Sequence, residues 1–339
     1  MARGREFHDT LVLVYGMACP LKCDFCCHPV EEYGPVKMKK GEAIAWIRQA
    51  STLASFRLVV FTGGEPFVYY RELLEILEAT APCGLPVRIV TAAQWARSVE
   101  EAKAKLGPLR DRGLAELSVS TDPSHQMFVP AAFAEHAVRA AVELGIACEL
   151  AGVFWDPDTK VEDVVRVPPE VRTTRQLAVP TGRGKARRIS AEQYRLGSDR
   201  FRGCGTPGAY DITVYPDGEV YPCCSGGFNK QAELSGGNLK REPLQAIVER
   251  IHGDGYLRYV MEAGFLPLYE LARFKFPEVF RALPDWAPFV SICQLCAAVH
   301  SNRQLMEALE PVLQYAERVR TAVAEVEERD REHAGVPRG

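Results

Sequence analysis

The segment Cys19-Pro20-Leu21-Lys22-Cys23-Asp24-Phe25-Cys26 follows closely on an apolar, strand-like run from Leu11 to Tyr15. Spacings of three and two residues let one loop wrap several thiolates round a compact iron–sulfur cluster, as short-spaced cysteine runs do in ferredoxins. Three thiolates are one fewer than a closed cubane uses. One iron then keeps an open coordination position, which chemistry at a metal requires. Cys27 offers a fourth thiol, yet a residue directly after a ligand ordinarily points away from the cluster it follows. A zinc knuckle would need His28 as well, and adjacent Cys27 and His28 do not give the separated pairs of such sites.

Outward from the cysteines, strand-like runs recur at Leu58 to Phe61, Val87 to Thr91, Ala115 to Ser120, Ile146 to Val153 and Val171 to Val179. Between them lie stretches of helical period: Ile44, Ile47, Ala50 and Leu53, then Leu73, Leu74 and Leu77, then Phe133, Ala137, Ala141 and Leu144 with Gly145 as a stop. Six strands alternating with helices predict an α/β fold with a parallel sheet and helices outside. Chemistry in such barrels gathers at the C-terminal ends of the strands. Thr62-Gly63-Gly64-Glu65-Pro66 closes the second strand, where two glycines alone read as a strand-to-helix turn. Thr91 and Gln94 follow the third strand, Ser118, Ser120, Asp122 and His125 the fourth, and Trp155 and Asp156 the fifth. Each read singly makes a loop hydrogen bond; as a group they line a pocket.

The cysteine motif after a first strand, with Phe25 before its last cysteine and Gly63-Gly64-Glu65 after the next strand, resembles the radical S-adenosylmethionine (radical SAM) superfamily. The resemblance implies a partial (β/α)6 TIM barrel and a [4Fe-4S] cluster held by Cys19, Cys23 and Cys26. The fourth iron would be chelated by the amino and carboxylate groups of SAM. Gly63, Gly64 and Glu65 would hold the methionyl end, with Phe25, Ser120, Asp122 and Arg183 also at the cofactor. The stretches from Thr91 and from Ser120 are similar to family segments reading TNGxWA and SxDxFH, and Pro180-Thr181-Gly182-Arg183 to PxGRA. Ala92-Ala93 departs from the first of these, so an asparagine role there is lost.

A second constellation lies further on. Cys204 is followed by thirteen residues, Gly218, four more residues and Cys223, with Pro216-Asp217-Gly218 as the turn of a hairpin between Ile212 to Tyr215 and Val220 to Tyr221. Cys293-Gln294-Leu295-Cys296 adds a CxxC pair, and four thiolates close a complete site for a cluster or for zinc. The spacing resembles the start of the SPASM extension of radical SAM enzymes, but no cysteine follows Cys296. That truncation implies the smaller twitch-like version, with one auxiliary [4Fe-4S] cluster on Cys204, Cys223, Cys293 and Cys296, Cys224 rivalling Cys223. Cys83 and Cys148 read as small buried hydrophobes. The expected boundaries are a barrel over 1–190, an auxiliary-cluster domain of hairpin and helices over 191–300, and a C-terminal helix over 301–339. That helix is expected to start near Pro311 and to carry Leu313, Ala316, Val319, Val323 and Val326 as an apolar stripe. Residues 239–290 read as helical, with Leu244, Ile247 and Ile251 on one face.

The chain has 339 residues, 47% hydrophobic, and 41 basic against 44 acidic side chains, a net charge of -3. Disorder and a global drive toward nucleic acid or anionic membrane are excluded by that balance. Arg172, Arg175, Arg183, Lys185, Arg187 and Arg188 form a local basic run, read as a solvated exit segment or as recognition of a carboxylate. Eleven cysteines, an odd number in tight groups, suit metal ligation in a reducing compartment. No run reaches the ~18 apolar residues of a membrane helix. Arg3 and Arg5 before Leu11 to Tyr15 mimic a signal, but Glu6 and Asp9 interrupt the basic region, so the cytoplasm is expected. No peptide-recognition domain is expected ahead of Cys19.

The resemblance implies reductive cleavage of SAM to a 5′-deoxyadenosyl radical that abstracts hydrogen from an unactivated carbon, with an electron donor such as flavodoxin or ferredoxin. The expected substrate is a ribosomal peptide, cross-linked or dehydrogenated. A dehydrogenase or epimerase of a small natural-product intermediate and a non-catalytic metal-binding scaffold are the alternatives.

Overall fold

The structure, a computed structural model, describes residues 8–28, 30–204, 209–224 and 234–333. Arg3, Arg5 and Glu6 lie outside them. The six expected strands form: β1 (Asp9–Gly16), β2 (Phe56–Gly63), β3 (Val87–Thr91), β4 (Leu114–Ser120), β5 (Ala147–Phe154) and β6 (Arg172–Leu177). Neighbours pair in parallel throughout, in an open sheet with β6 at one edge, so the barrel is partial. The central strands are nearly continuous apolar runs because helices cover the sheet. Leu11, Leu13, Phe61, Ile89 and Leu150 are fully buried.

The sheet exceeds expectation by one parallel strand. β7 (Asp211–Val214) pairs in parallel with β1, and only then does the chain reverse through β8 (Glu219–Tyr221) and β9 (Gly237–Asn238). Asp9, 1% exposed, accepts a hydrogen bond from the Tyr210 amide at 3.1 Å, and the Thr10 amide donates to the Tyr210 carbonyl at 2.9 Å. The hairpin turn uses Gly218 at φ +89°, where a side chain is strained.

Two short helices, α1 (Val30–Tyr33) and α5 (Pro123–Gln126), lie in the connections that follow β1 and β4, while α2 (Lys40–Ser51), α3 (Tyr70–Thr80), α4 (Val99–Arg110) and α6 (Ala131–Glu143) are the covering layer. In α2 the buried face is Ala43, Trp46, Ile47 and Ala50, so Ile44 and Leu53 sit at its margin. The chain continues into α7 (Leu244–Gly253), whose Leu244, Ile247 and Ile251 are buried.

The compact units do not follow the expected boundaries at 190 and 300. One comprises Asp9–Arg195 with Tyr210–Glu249, so the hairpin belongs with the barrel; the other comprises Met1–His8, Leu196–Ala209 and Arg250–Gly339. The second is helical: α8 (Gly255–Ala263), α9 (Phe265–Lys275), α10 (Pro277–Ala282), α11 (Ile292–His300) and α12 (Arg303–His333). Its core contains Phe201, Tyr256, Phe265, Leu268, Leu295 and Leu309. The terminal helix begins eight residues before Pro311, which lies inside it. Leu305, Leu309 and Val312 anchor that helix before the proline is reached and just after it, while Val319, Val323 and Val326 are exposed. Cys83 and Cys148 are half-buried. Among the described residues no helix is long and apolar enough to cross a membrane.

Replacing Asp9 with Ala removes the acceptor of a buried amide, which costs about 1–3 kcal/mol. Urea unfolding of Asp9→Ala should show that loss; a stability equal to the parent's would refute the role of Asp9 in seating β7.

Candidate functional site

Parallel strands deliver their C-terminal ends to one side, and a cavity of about 240 Å³ opens there. Cys19, Cys23 and Cys26 all line it, together with Phe25, Gly63, Gly64, Glu65 and Ser120. None of the eleven cysteines is in a disulfide. Burial first, then the charges of Glu65, Cys26 and Cys23, push the Cys19 thiol up to about 12, against an opposing hydrogen bond from the Leu21 amide. Burial likewise raises Cys26. Among the described residues no three His, Cys, Asp or Glu side chains converge on a point that would hold a single metal ion. A multi-iron cluster asks for less, since each thiolate meets a different iron, and three thiols facing one cavity fit it.

The glycines are demanded by backbone contact. Gly64 N donates to Gly16 O at 2.7 Å and Glu65 N to Ala18 O at 2.9 Å, stitching the end of β2 to the start of the cysteine loop. A Cβ on Gly64 would stand 2.3 Å from Ala18 O, and one on Gly63, at φ +124°, 2.6 Å from Gly16 O. Glu65 is 1% exposed and accepts from Phe67 N (3.0 Å), Thr91 Oγ1 (2.8 Å) and Ala92 N (2.9 Å). Burial raises its pKa, and these hydrogen bonds oppose the rise.

Asp122 stands apart from the expectation that it touches a cofactor. It is fully buried and outside the cavity lining, and its carboxylate accepts from the amides of Ser124, His125 and Val153 at 3.0 to 3.1 Å. Its second oxygen lies 2.7 Å from His125 Nδ1, and it is His125 that reaches the cavity, its ring 5.4 Å from that of Phe25. Burial works against a charge on His125, but the hydrogen bonds and charges of Asp122 and Cys23 prevail and raise it to about 10.

Arg183 is likewise outside the lining. It secures the loop from behind: its amide donates to Cys26 O (3.0 Å), its Nη1 to Cys23 O (3.2 Å), and its Nη2 pairs with Glu31 (2.9 Å). The basic run is dispersed. Arg172 pairs with Glu149 at the opposite end of the sheet, Arg175 donates to the carbonyls of Asp156 and Thr159, and Arg187 pairs with Asp24 at 2.9 Å.

Sequence reasoning passed over Asp24, the residue between two ligand positions. Its carboxylate accepts from Ser124 Oγ at 2.5 Å and Trp155 Nε1 at 3.0 Å, tying the cysteine loop to the chain after β4 and β5. Burial opposes its ionisation, yet those bonds and Arg187 lower its pKa. His28, Thr213 and Cys224 also line the cavity. Burial depresses His28 to about 4, so it is neutral at physiological pH.

Of the second cysteine set, Cys204, Cys293 and Cys296 fall in the helical unit and Cys223 in the barrel unit. Cys204 and Cys296 pack against the same apolar core, and Tyr256 donates its hydroxyl to Cys296 Sγ at 3.5 Å. Cys293 and Cys296 occupy the first turns of α11, which Ser291 caps by accepting from Gln294 N.

An open, mostly parallel sheet with thiols at its C-terminal mouth is the architecture of a partial barrel built round a metal cluster. The radical SAM superfamily model matches residues 13–146, and the iron-sulfur cluster-binding SPASM domain matches residues 204–258. The chain therefore carries a radical SAM domain followed by a SPASM domain. Cys293 and Cys296 lie beyond the SPASM match. YydG of Bacillus subtilis (strain 168), provisionally named as a peptide biosynthesis protein, is 22% identical over 318 residues, 91% of this chain and 97% of that protein. The PqqA peptide cyclase of Bradyrhizobium diazoefficiens is 30% identical over 105 residues, 30% of this chain and 25% of the cyclase. The fold also matches anSMEcpe with bound AdoMet and Cp18Cys peptide, at a TM-score of 0.55 and 16% identity over 91% of this chain and 99% of that one.

The Gly64→Ala variant should keep its far-ultraviolet circular dichroism but retain less than half of the iron otherwise bound at Cys19, Cys23 and Cys26. Full iron content in that variant would show that the loop tolerates displacement.

Proposed function

We propose that this chain is a radical SAM enzyme that modifies a ribosomal peptide at an unactivated carbon. The observation that carries the reading is that Cys19, Cys23 and Cys26 line one cavity with Gly63, Gly64 and Glu65. When bound there, a [4Fe-4S] cluster with SAM supplies a 5′-deoxyadenosyl radical able to take hydrogen from carbon. The three cysteines hold the cluster. Gly63 and Gly64, with Glu65 beside them, would hold the methionyl end of SAM, and Phe25 and Ser120 would complete the wall. Asp122 and Arg183 act through others, the first by orienting His125 and the second by fixing the Cys23 and Cys26 carbonyls.

The peptide substrate is supported by the names of YydG, a peptide biosynthesis protein, and the PqqA peptide cyclase, and by the peptide in the anSMEcpe structure. An auxiliary [4Fe-4S] cluster on Cys204, Cys223, Cys293 and Cys296 supplies a one-electron acceptor. Hydrogen abstraction followed by loss of an electron and a proton gives a product two hydrogens lighter, as in cross-linking or dehydrogenation. A flavodoxin or ferredoxin in the cytoplasm provides the initiating electron.

A second reading rests on Cys224, which lines the same cavity. A thiol there can return a hydrogen atom to the substrate carbon, and the resulting thiyl radical is reduced back to the thiol by one electron from the flavodoxin or ferredoxin and one proton from solvent before the next turnover. That outcome is epimerisation, with no change in mass.

Three measurements bear on these readings. Replacing Cys19, Cys23 or Cys26 with Ala should abolish 5′-deoxyadenosine formation from SAM under anaerobic reduction; persistent formation refutes the assignment. Reconstituted protein should hold about eight iron atoms per chain, two cubanes. The double variant Cys293→Ala/Cys296→Ala should hold half of that, and undiminished iron sinks the auxiliary site. Co-expression with peptides encoded nearby, read by mass spectrometry in deuterated water, separates the chemistries: a loss of about two mass units supports oxidation, whereas one deuterium gained at unchanged hydrogen count supports epimerisation.

A further inference from the structure

A second cavity, of about 430 Å³, opens beside the first and is lined by Tyr33, Val36, Lys37, Tyr215, Asp217 and Tyr221 with Pro216. Its size is that of a small-ligand site. Tyr33 and Tyr215 stack with centroids 6.1 Å apart and planes at 25°, and Tyr221 meets Tyr215 edge-on at 5.6 Å. His28 joins the two cavities. It lines the cluster cavity, and its ring lies 5.7 Å from that of Tyr215 and 6.2 Å from that of Tyr33, both of which line the second.

The walls are fixed before any ligand arrives. The segment bearing Val36 is held to β1 by Met17 N donating to Val36 O at 2.9 Å and Met38 N to Tyr15 O at 2.8 Å. On the hairpin side, Lys240 Nζ donates to Pro216 O at 3.1 Å and Asn238 Nδ2 to Asp217 O at 3.3 Å. Preformed walls reduce the ordering cost of binding.

Charge narrows the occupant. Lys37 Nζ lies 2.6 Å from Glu72 Oε2, so its charge is already answered within the protein and offers little to an anion. Asp217, the other charged side chain of the wall, accepts from Glu219 N at 3.1 Å through Oδ1, so each of the two opposite charges already has a partner within the protein and neither selects an ionic guest. Stacked rings with Val36 and Pro216 offer flat apolar faces, which suit a planar, uncharged ring.

We propose that this cavity is a subsite for an uncharged aromatic side chain of the substrate peptide, a neighbour in sequence of the residue that reacts. The proposal rests on the peptide-modifying reading above and adds to it a sequence requirement: an aromatic residue at a fixed offset from the modified position.

The test is saturation-transfer NMR on reconstituted holoenzyme with saturating SAM, using N-acetyl-phenylalaninamide, N-acetyl-alaninamide and N-acetyl-argininamide as probes. The aromatic amide should bind saturably and at least tenfold more tightly than the other two. Tyr33→Ala should weaken it at least tenfold. Val36→Glu, at a position 47% exposed where folding is undisturbed, should do the same by placing a carboxylate in the wall. Absence of saturable binding, preference for the arginine amide, or equal binding by both variants overturns the subsite. Formation of 5′-deoxyadenosine by the same parent preparation is read separately: its absence beside intact aromatic binding counts against the radical SAM reading and leaves the cavity's chemistry standing.

Discussion

Everything at the candidate site depends on how closely the end of β2 approaches the chain leaving β1. Two backbone bonds, Gly64 to Gly16 and Glu65 to Ala18, bring the strands together where the cysteine loop begins. A side chain at residue 63 or 64 would collide with backbone carbonyls and not with a movable group, so the approach exists only with glycine there. The same constraint recurs at Gly182, where a Cβ would stand 2.1 Å from Cys26 O. The loop carrying three thiols is thus held at both ends by main-chain contact that excludes a Cβ.

Polar side chains then lash the middle of that loop. Most ion pairs here are exposed and contribute little individually, as for Arg183 and Glu31, since solvent screens them. Asp24 is different because two of its partners are neutral donors at short range, and hydrogen bonds to a charged acceptor are the stronger kind. Asp122 performs a parallel task one strand over. Its Oδ1 accepts from two amides of the turn after β4, and its Oδ2 accepts from Val153 N in β5 and meets His125, so the ring that borders the cavity is oriented by a group outside the lining.

The helical unit is organised on a different principle. An apolar core of aromatic and branched side chains holds α8 to α12, and two cysteines of the second set are packed against that core. Placing thiols on a core-anchored helix turn, capped by Ser291, fixes their direction through packing where the barrel loop uses backbone contact.

Local pattern is what the sequence determined by itself. Alternation and helical period fall within a few residues of one another, and so the six strands, the hairpin turn at Gly218 and the layer of helices were legible. The spacing of Cys19, Cys23 and Cys26 was legible for the same reason, as was the glycine pair before Glu65. What only the tertiary structure decided involves partners remote in the chain. Ser124 and Trp155 bind Asp24 across 100 and 131 residues, and Tyr210 meets Asp9 across 201, so no local pattern marks Asp24 as a tether or β7 as a seventh parallel strand. Asp122 and Arg183 are expected at the cofactor from their likeness to family segments, and only the fold brings Asp122 to His125 and Arg183 to the carbonyls of Cys23 and Cys26. Pro311 signalled a helix start, and the packing of Leu305 and Leu309 carried the helix through it, because burial of an apolar face outweighs one missing amide donor.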